Sequence, residues 1–175
     1  RPSDREWLDR FPSLWFRNRS SCLRMADVLQ EPEQPPAASL RGWQQELVDE
    51  LDGEADDRKI IFIVDPVGNV GKTWIARRIL LTRSDAQYLR VAKRDDIAHS
   101  IDENKRIFLF DIERSSMEYM QYSILEQLKD GLVFSPKYDS RVKRIKEKAH
   151  VVVFCNEYPD LNKLSEDRFK VIELN

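Results

Sequence analysis

Residues 61–74, IFIVDPVGNVGKTW, constrain this chain more than any other stretch. A continuous apolar run, Lys59 to Val64, passes directly into a loop with glycines at 68 and 71, and the loop opens into a segment of helical character, Gly71 to Leu81. An apolar run without polar alternation is the pattern of a strand covered on both faces, as in a parallel sheet packed between helices. Strand, glycine turn and helix in succession make a cradle for an anion. Glycine lets backbone N–H groups come close, and the helix N-terminus adds the positive end of its dipole. Gly71-Lys72-Thr73 completes the phosphate-binding pattern GxxxxGK[ST], with Lys72 placed to neutralise β/γ-phosphate charge and the Thr73 hydroxyl to ligate Mg²⁺. Gly68, Asn69, Val70, Gly71, Lys72, Thr73 and Trp74 are therefore the candidate nucleotide cradle, although Pro66 stands where the pattern has its first glycine.

Around this element the chain alternates. LRGWQQELVDEL carries Trp43, Leu47 and Leu51 at four-residue spacing, an amphipathic helix that ends at the acidic turn Asp52 to Asp57. After the glycine loop come a weaker strand at Gln87 to Val91, a helix near Asp95 to Ile101, a strong strand Ile107 to Phe110 and a helix Met117 to Lys129. A basic hairpin, a buried strand Val151 to Cys155, a turn at Leu164 to Asp167 and a last strand Phe169 to Leu174 follow. Repeated strand and helix segments predict an α/β domain, a mostly parallel sheet flanked by helices, over residues 40–175. Residues 1–30 read as short amphipathic helices broken near Pro12, and residues 31–39 (EPEQPPAAS), with three prolines in nine positions, as a linker. The helical piece is too small to bury a core alone and is expected to pack on something, including other copies of itself.

Four further positions fit phosphate chemistry. RIFLFDIER puts Asp111 at the carboxyl end of an apolar strand, where a carboxylate can hold Mg²⁺ beside Thr73. Residue 112 is Ile where a water-activating acid commonly stands, so Glu113 is the substitute candidate. Asn156 follows Val151 to Cys155 at the sheet edge where open α/β sheets bind ligands, and its amide can contact a γ-phosphate or orient water. Arg168, in LSEDRF, is a candidate for stabilising transition-state charge in a neighbouring subunit, with a surface ion pair to Glu166 or Asp167 as the plainer reading.

Charge sharpens the choice of partner. The net charge of -2 excludes a basic footprint over the whole chain, but Gly131 to Lys148 carries six basic against two acidic residues, an excess of +4. Lys137, Tyr138, Arg141 and Lys143 there combine cations with an aromatic ring, suited to the backbone and bases of single-stranded nucleic acid. A charged, solvated hairpin is the alternative. Cys22 and Cys155 are too few for a disulfide framework and read as reduced thiols of a reducing compartment. No apolar run approaches the roughly 20 residues of a membrane span. The chain starts at Arg1 and is read as a piece of something longer.

With these motifs in order, the sequence resembles the superfamily 3 helicase domain, of the AAA+ group, found in replication initiator (Rep) proteins of circular single-stranded DNA viruses and their satellites. The likeness to the nanovirus, alphasatellite and circovirus-like side runs from about Leu40 to the end: DPVGNVGKTW as Walker A, FLFDIER as Walker B, VFSPKYDSRVKR and HVVVFCN as the B′ and C motifs, LSEDRF as the arginine-finger region. The resemblance implies ATP and Mg²⁺ on Lys72, Thr73 and Asp111, Asn156 as sensor, Arg168 acting in trans and Lys137 or its neighbours on DNA in a central pore. It further implies a homo-oligomeric ring, typically a hexamer, 3′ to 5′ translocation, an N-terminal oligomerisation collar and the host nucleus as the place of action. His99 and His150 form no nicking motif, so endonuclease activity is not expected in this piece. An ATP-binding assembly switch that does not unwind is the rival reading. A P-loop kinase is a weaker one, because no acceptor pocket or lid is legible.

Overall fold

In the computed structural model the described residues are 10, 34–35, 38–138 and 140–174. The expected helical collar at 1–30, apart from Arg10, and most of the linker lie outside them. The chain divides into two compact units at Gln34–Pro35, and every element that follows belongs to the second.

Its element order is α1 (Gly42–Asp52), β1 (Ile60–Val64), α2 (Lys72–Thr82), β2 (Ala86–Arg90), α3 (Arg94–Ser100), β3 (Ile107–Asp111), α4 (Tyr122–Lys129), β4 (Leu132–Ser135), β5 (Arg141–Arg144), β6 (His150–Cys155) and β7 (Phe169–Glu173). Five strands form a parallel sheet in the order β2-β3-β6-β1-β7, and β4 and β5 pair antiparallel as a separate hairpin. The expected helix over Met117 to Lys129 is two pieces: a 3₁₀ turn Met117–Tyr119, then α4, with an extended Met120 between them.

The apolar strands β1 and β6 are buried along their whole length because successive side chains enter opposite layers. Ile60, Phe62, Val64, Phe108, Phe110, Val151 and Val153 pack with Ile97, Ile124, Leu125 and Leu128 of α3 and α4. Ile61, Ile63, Ile107, Leu109, Val152 and Phe154 pack on the other face with Leu47 and Leu51 of α1 and Ile75, Ala76 and Ile79 of α2. This is the expected α/β architecture of the P-loop type. Cys155 lies in the first layer, where burial pushes its thiol up to about 12 and leaves it a packing group. No helix among the described residues is long and apolar enough to cross a membrane.

Parallel register fixes where chemistry can gather. Val64 pairs with Cys155 and Phe154 with Asp111, so the residues leaving the carboxyl ends of β1, β3 and β6 come out at one edge. Arg90 of β2 pairs with Asp111 and brings the outer strand to the same edge.

Candidate functional site

The loop between β1 and α2 passes through the left-handed region at Gly68 (φ 98°), Asn69 (φ 68°) and Gly71 (φ 92°). Glycine is required at two of these for contact as well as for φ. A Cβ at 68 would overlap the Arg114 guanidinium, and one at 71 would meet Gln44 Nε2 at 3.0 Å. Arg114 Nη2 donates to the Val67 carbonyl at 2.5 Å. From the other side, α1 braces the loop: Arg41 Nη1 donates to the Val70 carbonyl at 2.9 Å and buried Gln44 Nε2 to the Gly71 carbonyl at 3.3 Å. With its tight turn held by these three side-chain contacts, the loop manages with Pro66 in place of the first glycine.

Asp65, a residue the sequence reading passed over, is the loop's electrostatic centre. Its side chain is 0% exposed; Lys72 Nζ donates to Oδ2 at 2.7 Å and the Gly68 N–H to Oδ1 at 2.6 Å. Burial pushes the Asp65 carboxyl up, but Lys72 and the Gly68 and Val70 N–H groups outweigh it and hold the group below the usual carboxylate range. A carboxylate thus takes up donors of the kind that a phosphate would use. The signal was present in the sequence as an acid at the very end of a buried strand.

Across the cleft, Thr73 Oγ1 lies 3.4 Å from Asp111 Oδ2, and Asn156 Nδ2 donates to the Asp65 carbonyl at 2.6 Å. A cavity of about 680 Å³ is lined by these residues together with Trp74, Tyr88 and Glu113. A hydroxyl and a carboxylate are hard oxygen donors suited to Mg²⁺, which normally keeps waters and substrate phosphates as its other ligands, so the residues present fit both groups. Among the described residues no cluster of three or more His, Cys, Asp or Glu forms a self-sufficient cage. Ile112 is buried in the core, which explains why an acid could not serve there. Glu113 is exposed at the rim and ion-paired with Arg90.

Two expected site residues are placed otherwise. Arg168 precedes β7, at the end of the sheet opposite the loop, since Phe169 pairs with Ile60 at the start of β1. Instead of being offered outward it is 5% exposed, with Nη2 at 2.9 Å from Asp130 and Nε at 3.3 Å from Glu126. The neighbouring Asp167 pairs with Arg58, so the plainer reading, a surface ion pair to Glu166 or Asp167, does not hold: within the chain Arg168 is a buried cation held by carboxylates at the end of α4. Both its carboxylates are about half exposed and can rehydrate. Arg168→Ala should therefore cost only about 1–2 kcal/mol, read as a lowered midpoint in urea unfolding.

Lys143 is the second correction. In the β4–β5 hairpin it lies opposite Val133, on the face turned to the core. It is 6% exposed, and its Nζ donates to the carbonyls of His99 and, at 2.7 Å, Ile101 at the end of α3. There a cation meets the negative end of a helix, and burial draws its ammonium below the usual lysine range. The other predicted residues reach solvent. Tyr138 is 87% exposed at the turn with its ring tilted on His99, Lys137 pairs with Asp96, and Arg141 lies 3.5 Å from Glu103. Arg144, which the sequence reading did not select, is exposed on the outer face and has no ion-pair partner among the described residues.

A parallel sheet whose first strand runs through a lysine-bearing glycine loop into a helix, with a hydroxyl and a strand-end acid beside it, defines a domain of the P-loop type. Comparison with known proteins narrows this further. The chain is 42% identical over 135 residues to the Para-Rep C6 protein of Subterranean clover stunt C6 alphasatellite, covering 76% of this chain and 47% of that protein. It is 42% identical over 126 residues to the master replication protein of Faba bean necrotic yellows virus, covering 72% and 43%, and 41% over 130 residues to that of Subterranean clover stunt virus, covering 74% and 44%. No family model matches. The chain belongs with the Rep proteins of circular single-stranded DNA viruses and their satellites, and spans about half the length of the curated relatives it matches.

Proposed function

We propose that this domain is the ATP-driven helicase motor of a viral or satellite replication initiator, working as a homo-oligomeric ring, six-membered by family resemblance, that moves 3′ to 5′ on single-stranded DNA. The observation that carries the reading is the convergence of Lys72, Thr73, Asp111 and Asn156 at the carboxyl edge of three adjacent parallel strands. Lys72 and the N–H groups of residues 68–71 bind the β- and γ-phosphates, and Thr73 and Asp111 hold Mg²⁺. The ion supplies charge neutralisation on the phosphates. The Asn156 amide, pinned through Nδ2, keeps its oxygen for orienting water. Glu113 is the carboxylate at the rim that accepts the proton from that water once Arg90 releases it. Arg168 is not assigned a role in the neighbouring subunit.

The hairpin is the DNA-gripping element in this reading. One cationic hairpin per subunit, facing a common pore, sums to a strong field even where each is weakly charged. Tyr138→Ala with Arg141→Ala should weaken binding to a fluorescent single-stranded oligonucleotide and flatten its salt dependence, with nucleotide affinity unchanged. Lys143→Met should leave the salt slope as it is and lower thermal stability. One observation favours the rival, an ATP-binding assembly switch: Lys137 and Arg141 already have carboxylate partners within the chain. Hydrolysis stimulated severalfold by single-stranded DNA supports the motor. ATP-dependent assembly without stimulation or strand separation supports the switch.

A further inference from the structure

The outer strand β2 carries two side chains into the site, and neither belongs to the nucleotide-binding motifs. Tyr88 and Arg90 lie two apart and share a face, opposite Leu109 and Asp111 of β3. Tyr88 Oη donates to Asp111 Oδ2 at 2.8 Å, the same oxygen that lies 3.4 Å from Thr73 Oγ1. No described residue hydrogen-bonds Asp111 Oδ1. The Tyr88 ring packs against the layer beneath α2, so the phenol is aimed by the core rather than by solvent.

We propose that Tyr88 is a positioning residue for the metal acid: its hydroxyl occupies Asp111 Oδ2, sets the carboxylate plane and leaves Oδ1 as the oxygen presented to Mg²⁺. The proposal rests on the nucleotide and Mg²⁺ reading above. A carboxylate free to turn could instead offer both oxygens to a larger cation such as Ca²⁺, which accepts bidentate ligation where Mg²⁺ keeps to strict octahedral geometry. Tyr88 thereby favours Mg²⁺ over Ca²⁺. The arrangement is that of outer-sphere partners elsewhere, which orient a metal-binding carboxylate without touching the metal.

Tyr88→Phe tests this, because it removes one oxygen and keeps the packed ring. The readout is binding of a fluorescent ADP analogue, measured in EDTA and across Mg²⁺ and Ca²⁺ titrations, with Lys72→Ala and Asp111→Asn as references. Affinity in EDTA should match that of the wild-type chain. The Mg²⁺ concentration giving half of the metal-dependent gain should rise roughly tenfold, the worth of one hydrogen bond to a charged group, and Ca²⁺ should be affected less. Asp111→Asn should lose the metal-dependent gain. An unchanged Mg²⁺ midpoint in Tyr88→Phe, or an equal loss of affinity with and without metal, overturns the proposal while leaving the nucleotide site intact. If the wild-type chain binds the analogue no better than Lys72→Ala does, the underlying reading fails and this proposal with it.

Discussion

Lys72→Ala should reduce ATP turnover by at least about 10²–10³-fold, the loss seen when a preorganised electrostatic contact to a charged transition state is deleted. Lys72 is the cation that follows the loop, its side chain 10% exposed and its Nζ 2.7 Å from Asp65, and nothing else described could take its place. Arg90 is committed to Glu113, and Arg114 reaches only the outer rim of the turn at Val67. Steady-state phosphate release in the presence of single-stranded DNA measures the effect. Near-normal turnover in the variant would remove the assignment of the site. The substitution also leaves Asp65 buried without its cation, so its stability must be followed in parallel, and Lys72→Ala with Asp65→Ala should lose less stability than the two single changes added together.

Asp65→Ala should be the most destabilising single change in the site. It leaves a nearly buried ammonium without a counterion, and breaking a buried pair from one side costs about 3 kcal/mol or more, which for a domain of this size lowers the melting temperature by on the order of 10 °C. Nucleotide should restore stability more in the variant than in the wild-type chain, since a triphosphate brings the anion that Lys72 has lost. The pH dependence follows from the depressed carboxyl of Asp65. Because its folded-state value lies below the unfolded value near 4, the pair stabilises the fold at neutral pH and progressively less as pH falls through the folded-state value. The gap in stability between wild type and Asp65→Ala should therefore be full at pH 7 and close in acid. A gap that widens on acidification would contradict the ion pair.

The parallel sheet was legible because Ile60–Val64 and His150–Cys155 are apolar without interruption, and Asp111 and Asn156 were legible because a polar residue closing such a run must come out at the ligand edge. Lys143 was misread by counting charge over a segment and ignoring that strands alternate: a two-residue period through Val133, Ser135 and Lys143 separates the core-facing side chains from Phe134, Val142 and Arg144. Arg168 could not be read locally, since Asp130, which holds it, is 38 residues away in the chain. Tyr88 was invisible for the same reason, because its bond to Asp111 exists only once β2 is known to lie beside β3. Asp65 could have been found, as an acid inside a phosphate loop needs an internal cation and Lys72 is one helical start away.

The two bonds from α1 to the carbonyls of residues 70 and 71 make that helix a handle on the glycine turn. The carbonyls held by Arg41 and Gln44 belong to the two residues immediately before Lys72. Gln44→Ala should loosen the turn at Gly71 without removing any group that meets phosphate, read as weakened binding of a fluorescent nucleotide with the melting temperature little changed.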